Sequence, residues 1–209
     1  MMILYYFYPA CSLAAHICLE ESGLPFEARV VDLKDPAKEA EYKKINPRGR
    51  VPVLIANDGR VLSENVAIMT YVADLAPQAK LLPSDPEARA QCMSFLLWGA
   101  STAHINFRMS FRPYRFSADP ATHEAIAAAG RQNFWENLED IDKRLAGQDW
   151  IMGKDFSAAD GYALRFYDWG RIAKHPVETL KAFTAHKDRL LARPAVKKVL
   201  QREGSPLVA

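Results

Sequence analysis

Arg50-Val51-Pro52-Val53-Leu54, followed a short way on by Ser63-Glu64-Asn65-Val66-Ala67-Ile68, is where residue types and spacing first point to chemistry. A proline between valines lacks the N–H that a central strand needs. It suits a strand's end, where a cis peptide turns the backbone outward and leaves the polar groups of Val51 for another peptide. Glu64 and Asn65 fall where the next strand gives way to a helix, and a helix N-terminus binds anions through its free N–H groups. Peptide-like contacts beside an anion-binding turn suggest a pocket for a small acidic peptide. Cys11 is placed between a strand and another helix N-terminus, a location that lowers a thiol pKa through the helix dipole and the free N–H groups. The competing reading of a lone cysteine there is a small buried hydrophobe. Ala14 stands where a resolving cysteine would be, so a dithiol oxidoreductase is disfavoured.

The elements that must position these residues follow from periodicity and breakers. Residues 3–7 read as a buried strand, 12–21 as a helix closed by Gly23 and Pro25, and 26–31 as a second strand. That order implies a right-handed parallel crossover. Residues 36–45 form a charged, weakly helical connection. Residues 51–56 and 61–62 flank the turn Asn57-Asp58-Gly59, a hairpin signature, and a helix runs over 64–75. The proline-rich stretch 80–86 reads as a linker leading into a helix start at Ser84-Asp85-Pro86-Glu87. Beyond it the pattern is helical: one long helix over 87–112, then helices over 120–145, 157–172, 177–192 and 195–202. Phe134, Leu138, Ile141 and Leu145 line one face, and Ser157-Ala158-Ala159-Asp160 has capping-box spacing. The switch from mixed to all-α predicts two domains, 1–79 and 87–209.

Composition bounds the rest. With 49% apolar and 25% charged residues among 209, the chain can bury a full core. A net charge of +2 without a basic block gives no electrostatic case for nucleic acid. Cys11, Cys18 and Cys92 form no zinc spacing, and so sparse a set points to a reducing, cytoplasmic setting. The apolar opening lacks the basic start of a signal peptide and reads as a strand and helix. No apolar run reaches the roughly 20 residues that a membrane span needs.

Taken in order, Tyr5-Tyr6, Ala10-Cys11-Ser12-Leu13-Ala14 with His16, Gly23-Leu24-Pro25-Phe26-Glu27, Val31-Asp32-Leu33, Ile45-Asn46-Pro47-Arg48-Gly49, Val51-Pro52-Val53-Leu54, Glu64, Ala67-Ile68, His104 and Phe156-Ser157-Ala158-Ala159-Asp160 carry a resemblance over nearly the whole length. The chain resembles the cytosolic glutathione transferases, most closely the bacterial beta class. The resemblance implies a thioredoxin-like N-terminal domain, βαβ-α-ββα with a cis proline, packed on an all-helical C-terminal domain. It also implies a homodimer, glutathione as co-substrate, and neither metal nor nucleotide.

On that resemblance Cys11 faces the glutathione sulfur. Ser12 either caps its helix or hydrogen-bonds the thiolate, and His104 reaches the sulfur region. Val51 and Pro52 present backbone to the cysteinyl part, Glu64 pairs with the γ-glutamyl ammonium, and Asn65 binds its carboxylate. Leu33, Arg50 and Ser101 complete the glutathione contacts. Tyr8, Arg108, Phe111, Arg112 and Tyr114 would wall a site for a small hydrophobic electrophile, although helix-spaced aromatics also suit a core. Leu97 and Ile105 depart from the class, which carries polar residues there. The implied activity is conjugation of glutathione to small electrophiles for detoxification, with glutathione-dependent peroxidase or thiol-transferase chemistry besides. The alternative is a non-catalytic or regulatory binding protein on the same fold.

Overall fold

The computed structural model describes residues 1–32 and 35–208. Its first unit comprises Met1–Ser84 and the chain from Leu190 on, and its second Asp85–Arg189. The last helix, α9 (Pro194–Glu203), belongs to the first unit, whereas the sequence pattern assigns everything from 87 on to the helical domain.

In the first unit four strands lie in the order β2-β1-β3-β4. Strand β1 (Met2–Tyr6) is central, parallel to β2 (Phe26–Val30) and antiparallel to β3 (Val53–Ile55), which pairs in turn with β4 (Val61–Ser63). The β1–β2 crossover is α1 (Ser12–Ser22), ended by Gly23 at φ 70°, a left-handed conformation open to glycine without a Cβ penalty. Helix α2 (Pro36–Lys43) starts where the Asp35 side chain accepts from the N–H groups of Ala37 and Lys38. Helix α3 (Asn65–Leu75) follows β4. On one sheet face Tyr5, Val31, Tyr42 and Val53 form a buried cluster, with Ile3, Ile45, Val51 and Ile55 against it. Val51 thus anchors its turn in the core through its side chain. Helix α9 docks on α1 through the Arg193–Glu21 pair (2.7 Å) and the Lys198–Glu20 pair (2.5 Å).

The second unit is helical. Helix α4 (Pro86–Trp98) passes through a π-helical turn, Gly99–Ala103, into α5 (His104–Phe111), where the sequence pattern predicts one uninterrupted helix. The added residue per turn changes the face on which later side chains emerge. A Cβ on Gly99 would lie 3.1 Å from the Phe166 ring, so glycine permits the close approach. Helix α6 (His123–Leu145) buries Phe134, Leu138, Ile141 and Leu145 as its period requires. Helix α7 (Ala158–Ile172) opens on the expected capping box, and α8 (Lys181–Ala192) follows. No helix among the described residues is long and apolar enough to cross a membrane.

Candidate functional site

Two segments far apart in sequence meet at the carboxyl end of β1. After Tyr6 the chain bends through Tyr8-Pro9, a cis peptide, and enters α1 with Cys11 as its N-cap residue. The second segment is the turn before β3, where Val51-Pro52 is also cis, as the proline's setting predicts. The Arg50 carbonyl in that turn accepts from the Tyr42 hydroxyl (2.8 Å) and the Asn46 Nδ2 (2.7 Å). With the preceding carbonyl doubly held, the turn presents Val51 in a fixed orientation. The Cys11 thiol points at it and donates to the Val51 carbonyl at 3.7 Å. Cys11 is 9% exposed, whereas Cys18 and Cys92 are sealed in the core. Burial pushes the Cys92 thiol pKa up.

Ser12 does not cap its helix. Cys11 occupies the N-cap, and the fully buried Ser12 hydroxyl bridges the Phe7 backbone, donating to its carbonyl and accepting from its N–H, each at 3.3 Å. It therefore fixes the strand-to-helix bend that carries Cys11.

At the start of α3, Glu64 is the N-cap residue with φ 72° and ψ 127°. A positive φ is strained for any residue with a Cβ, and such strain gathers at ligand sites. This conformation leaves the Glu64 carboxylate 74% exposed, with an Arg48 guanidinium 3.4 Å away. Asn65 is buried. Its Nδ2 donates to the Cys11 carbonyl at 3.1 Å, joining the head of α3 to that of α1. Its Oδ1 is buried without a partner among the described residues. The N-terminal N–H groups of α3, with Glu64 and Arg48 beside them, can receive a zwitterionic amino-acid group.

The other residues chosen from sequence fall as follows. Arg50 is exposed and contributes its held carbonyl, Pro52 is buried, and Tyr8 is half-buried. Leu33 lies outside the described residues. In the second unit the exposed Ser101 hydroxyl donates to the Leu97 carbonyl one turn back (2.8 Å), so it is engaged within its own helix. The His104 ring lies 4.7 Å from that of Trp169, and Arg108 approaches its Nε2 at 3.4 Å. Phe107 stacks flat on Trp169 at 4.2 Å. Phe111, Arg112 and Tyr114 are exposed. Sequence reasoning gave no role to Tyr42, Asn46 or Arg48; Asn46-Pro47-Arg48-Gly49, which has the composition of a turn, was the available signal. No cluster of metal-ligating side chains occurs among the described residues.

Comparison with known proteins supplies what geometry alone does not. Residues 10–75 match the family described as Glutathione S-transferase, N-terminal domain, and residues 103–194 match Glutathione S-transferase, C-terminal domain. The chain is 35% identical to glutathione S-transferase GstA of Escherichia coli O157:H7, over 97% of this chain and 99% of that one. A glutathione transferase homologue from Sulfitobacter, solved with bound glutathione, superposes with a TM-score of 0.90 at 30% identity, covering 97% of this chain and 98% of its own. A beta class glutathione S-transferase from Sphingomonas chungbukensis gives 0.85 at 31%, with the same two coverages. Nothing in these relatives favours the non-catalytic alternative.

Proposed function

The chain belongs to the glutathione S-transferase family, and from that premise we propose that it binds glutathione along the Val51 turn and the head of α3, with Cys11 facing the sulfur. It is a glutathione transferase with glutathione as co-substrate. The observation that carries the assignment of residues is the convergence of Cys11, Val51, Glu64 and Asn65 within one unit.

The cysteinyl part of glutathione would add to Val51 as a short strand, through backbone hydrogen bonds. The Val51 carbonyl holds the Cys11 S–H in the ligand-free site; it would accept from the ligand instead once that S–H turns to the sulfur of glutathione. The exposed Glu64 carboxylate suits the γ-glutamyl ammonium, and the α3 N–H groups suit the carboxylate beside it. Cys11 would donate its S–H to the thiolate of glutathione, which loses its own proton to solvent. Stabilising that anion and holding it against the electrophile is the catalytic contribution. The sulfur pair then forms a C–S bond, and the leaving group departs with its electrons or the adjacent carbon takes up a proton.

His104 is a candidate for the sulfur region on family resemblance. Arg108, Arg112 and the exposed Phe111 and Tyr114 are candidates for contact with a small hydrophobic electrophile. Family membership also supports a cytoplasmic homodimer. The test is retention on immobilised glutathione combined with turnover of a halonitrobenzene. Retention with turnover is expected, and a folded protein showing neither would overturn the assignment.

A further inference from the structure

The amide of Asn65 has two ends in different circumstances. Nδ2 donates to the Cys11 carbonyl across 54 positions of sequence, and Oδ1 is buried with no partner among the described residues. Asn65 is 6% exposed and immediately follows Glu64, whose positive φ turns the chain into α3. Swapping the ends of the amide would set two oxygens against each other at 3.1 Å, so the hydrogen bond fixes the orientation. The carbonyl it holds belongs to the residue whose thiol points at Val51. That carbonyl also accepts from the Ala14 N–H at 3.2 Å, the bond that closes the first turn of α1.

We propose that Asn65 is a positioning residue for Cys11. It couples the γ-glutamyl end of the site to its sulfur end and does not bind glutathione through its own NH₂. The inference rests on the reading of Cys11 given above. Its local content, that Asn65 sets the state of the Cys11 thiol, holds without any ligand. Glutathione seated on Glu64 and the head of α3 would bear on the same rigid link and stiffen the Cys11 turn. Among the described residues Oδ1 gains no partner in this arrangement, which holds the donor end in place.

The test is the rate of Cys11 alkylation by iodoacetamide against pH in ligand-free protein, read by mass spectrometry. It is run on the parent, Asn65→Ala and Asn65→Asp. Asp keeps the shape but replaces the donor with an oxygen facing the Cys11 carbonyl. Losing one hydrogen bond of about 1 kcal/mol corresponds to about fivefold. Alkylation at neutral pH should fall by at least about that factor in Asn65→Ala and further in Asn65→Asp, with the profile moved to higher pH and circular dichroism unchanged. A role confined to folding would lower the melting temperature and leave the profile in place. A role confined to ligand contact would raise KM for glutathione and leave alkylation untouched. Either outcome overturns the proposal. Altered alkylation without any glutathione binding by the parent would sustain it and sink the glutathione assignment instead.

Discussion

Asp160 is fully buried at the third position of α7, and its carboxylate gathers four donors. Oδ1 accepts from the Ile151 N–H at 2.7 Å and from His186 Nε2 at 2.8 Å. Oδ2 accepts from the Ser157 N–H at 2.7 Å and the Ser157 hydroxyl at 3.1 Å. Asp160→Ala strands two buried backbone donors and one imidazole N–H, while the Ser157 hydroxyl can rotate away. Each stranded donor costs about 1–3 kcal/mol, and neighbouring losses do not add in full. The expected destabilisation is therefore about 3–6 kcal/mol, a large share of the roughly 5–15 kcal/mol that holds a typical protein folded. Asp160→Asn should fall between parent and Ala: it keeps volume and one acceptor oxygen but turns an NH₂ toward the Ser157 N–H. Urea unfolding followed by tryptophan fluorescence reads this as a lower midpoint at constant slope. A loss below about 1 kcal/mol in Asp160→Ala would refute the reasoning that these four hydrogen bonds are one folding unit.

Among the three thiols, Cys11 should label fastest with iodoacetamide in the native protein, because Cys18 and Cys92 are fully buried and burial raises the Cys92 pKa. Faster labelling at either of those would contradict the site. Burial pushes the Glu20 carboxyl up, but hydrogen bonds from Lys198 and Arg202 outweigh it and hold the pKa below its ordinary value. A carboxyl depressed in the folded state stabilises fully above its unfolded pKa of about 4.3, and that stabilisation fades as pH falls through the folded value. The stability gap between parent and Glu20→Gln should thus be full at neutral pH and close as the pH drops below about 4. A gap unchanged down to pH 3 would show that the α1–α9 pairs contribute no linked stability.

What could be read from the sequence was what a residue's own covalent nature dictates. Pro52 reveals its turn because it lacks an N–H, Ser157 and Asp160 reveal a helix start by spacing, and the α6 apolar residues reveal a buried face. What was hidden depends on partners distant in the chain. Nothing local tells that the Asn65 amide reaches Cys11, or that Ser12 lies one position too late to cap because the bend after Phe7 makes Cys11 the cap. The π-helical turn before His104 is invisible because the helical apolar pattern runs through it. Helix α9 has an amphipathic pattern that names no partner; on α1 it meets the buried His16–Glu203 contact and the Arg193–Glu21 and Lys198–Glu20 pairs, all long-range.

The central claim is that glutathione is held where Glu64 heads α3, beside the Val51 turn. Isothermal titration of parent and Glu64→Ala with glutathione tests it most directly. Removing one partner of a charged hydrogen-bonded contact costs about 2–4 kcal/mol, or about 30- to 1000-fold in Kd. The account predicts a loss in that range with far-UV circular dichroism unchanged. Equal affinity in parent and Glu64→Ala would contradict it.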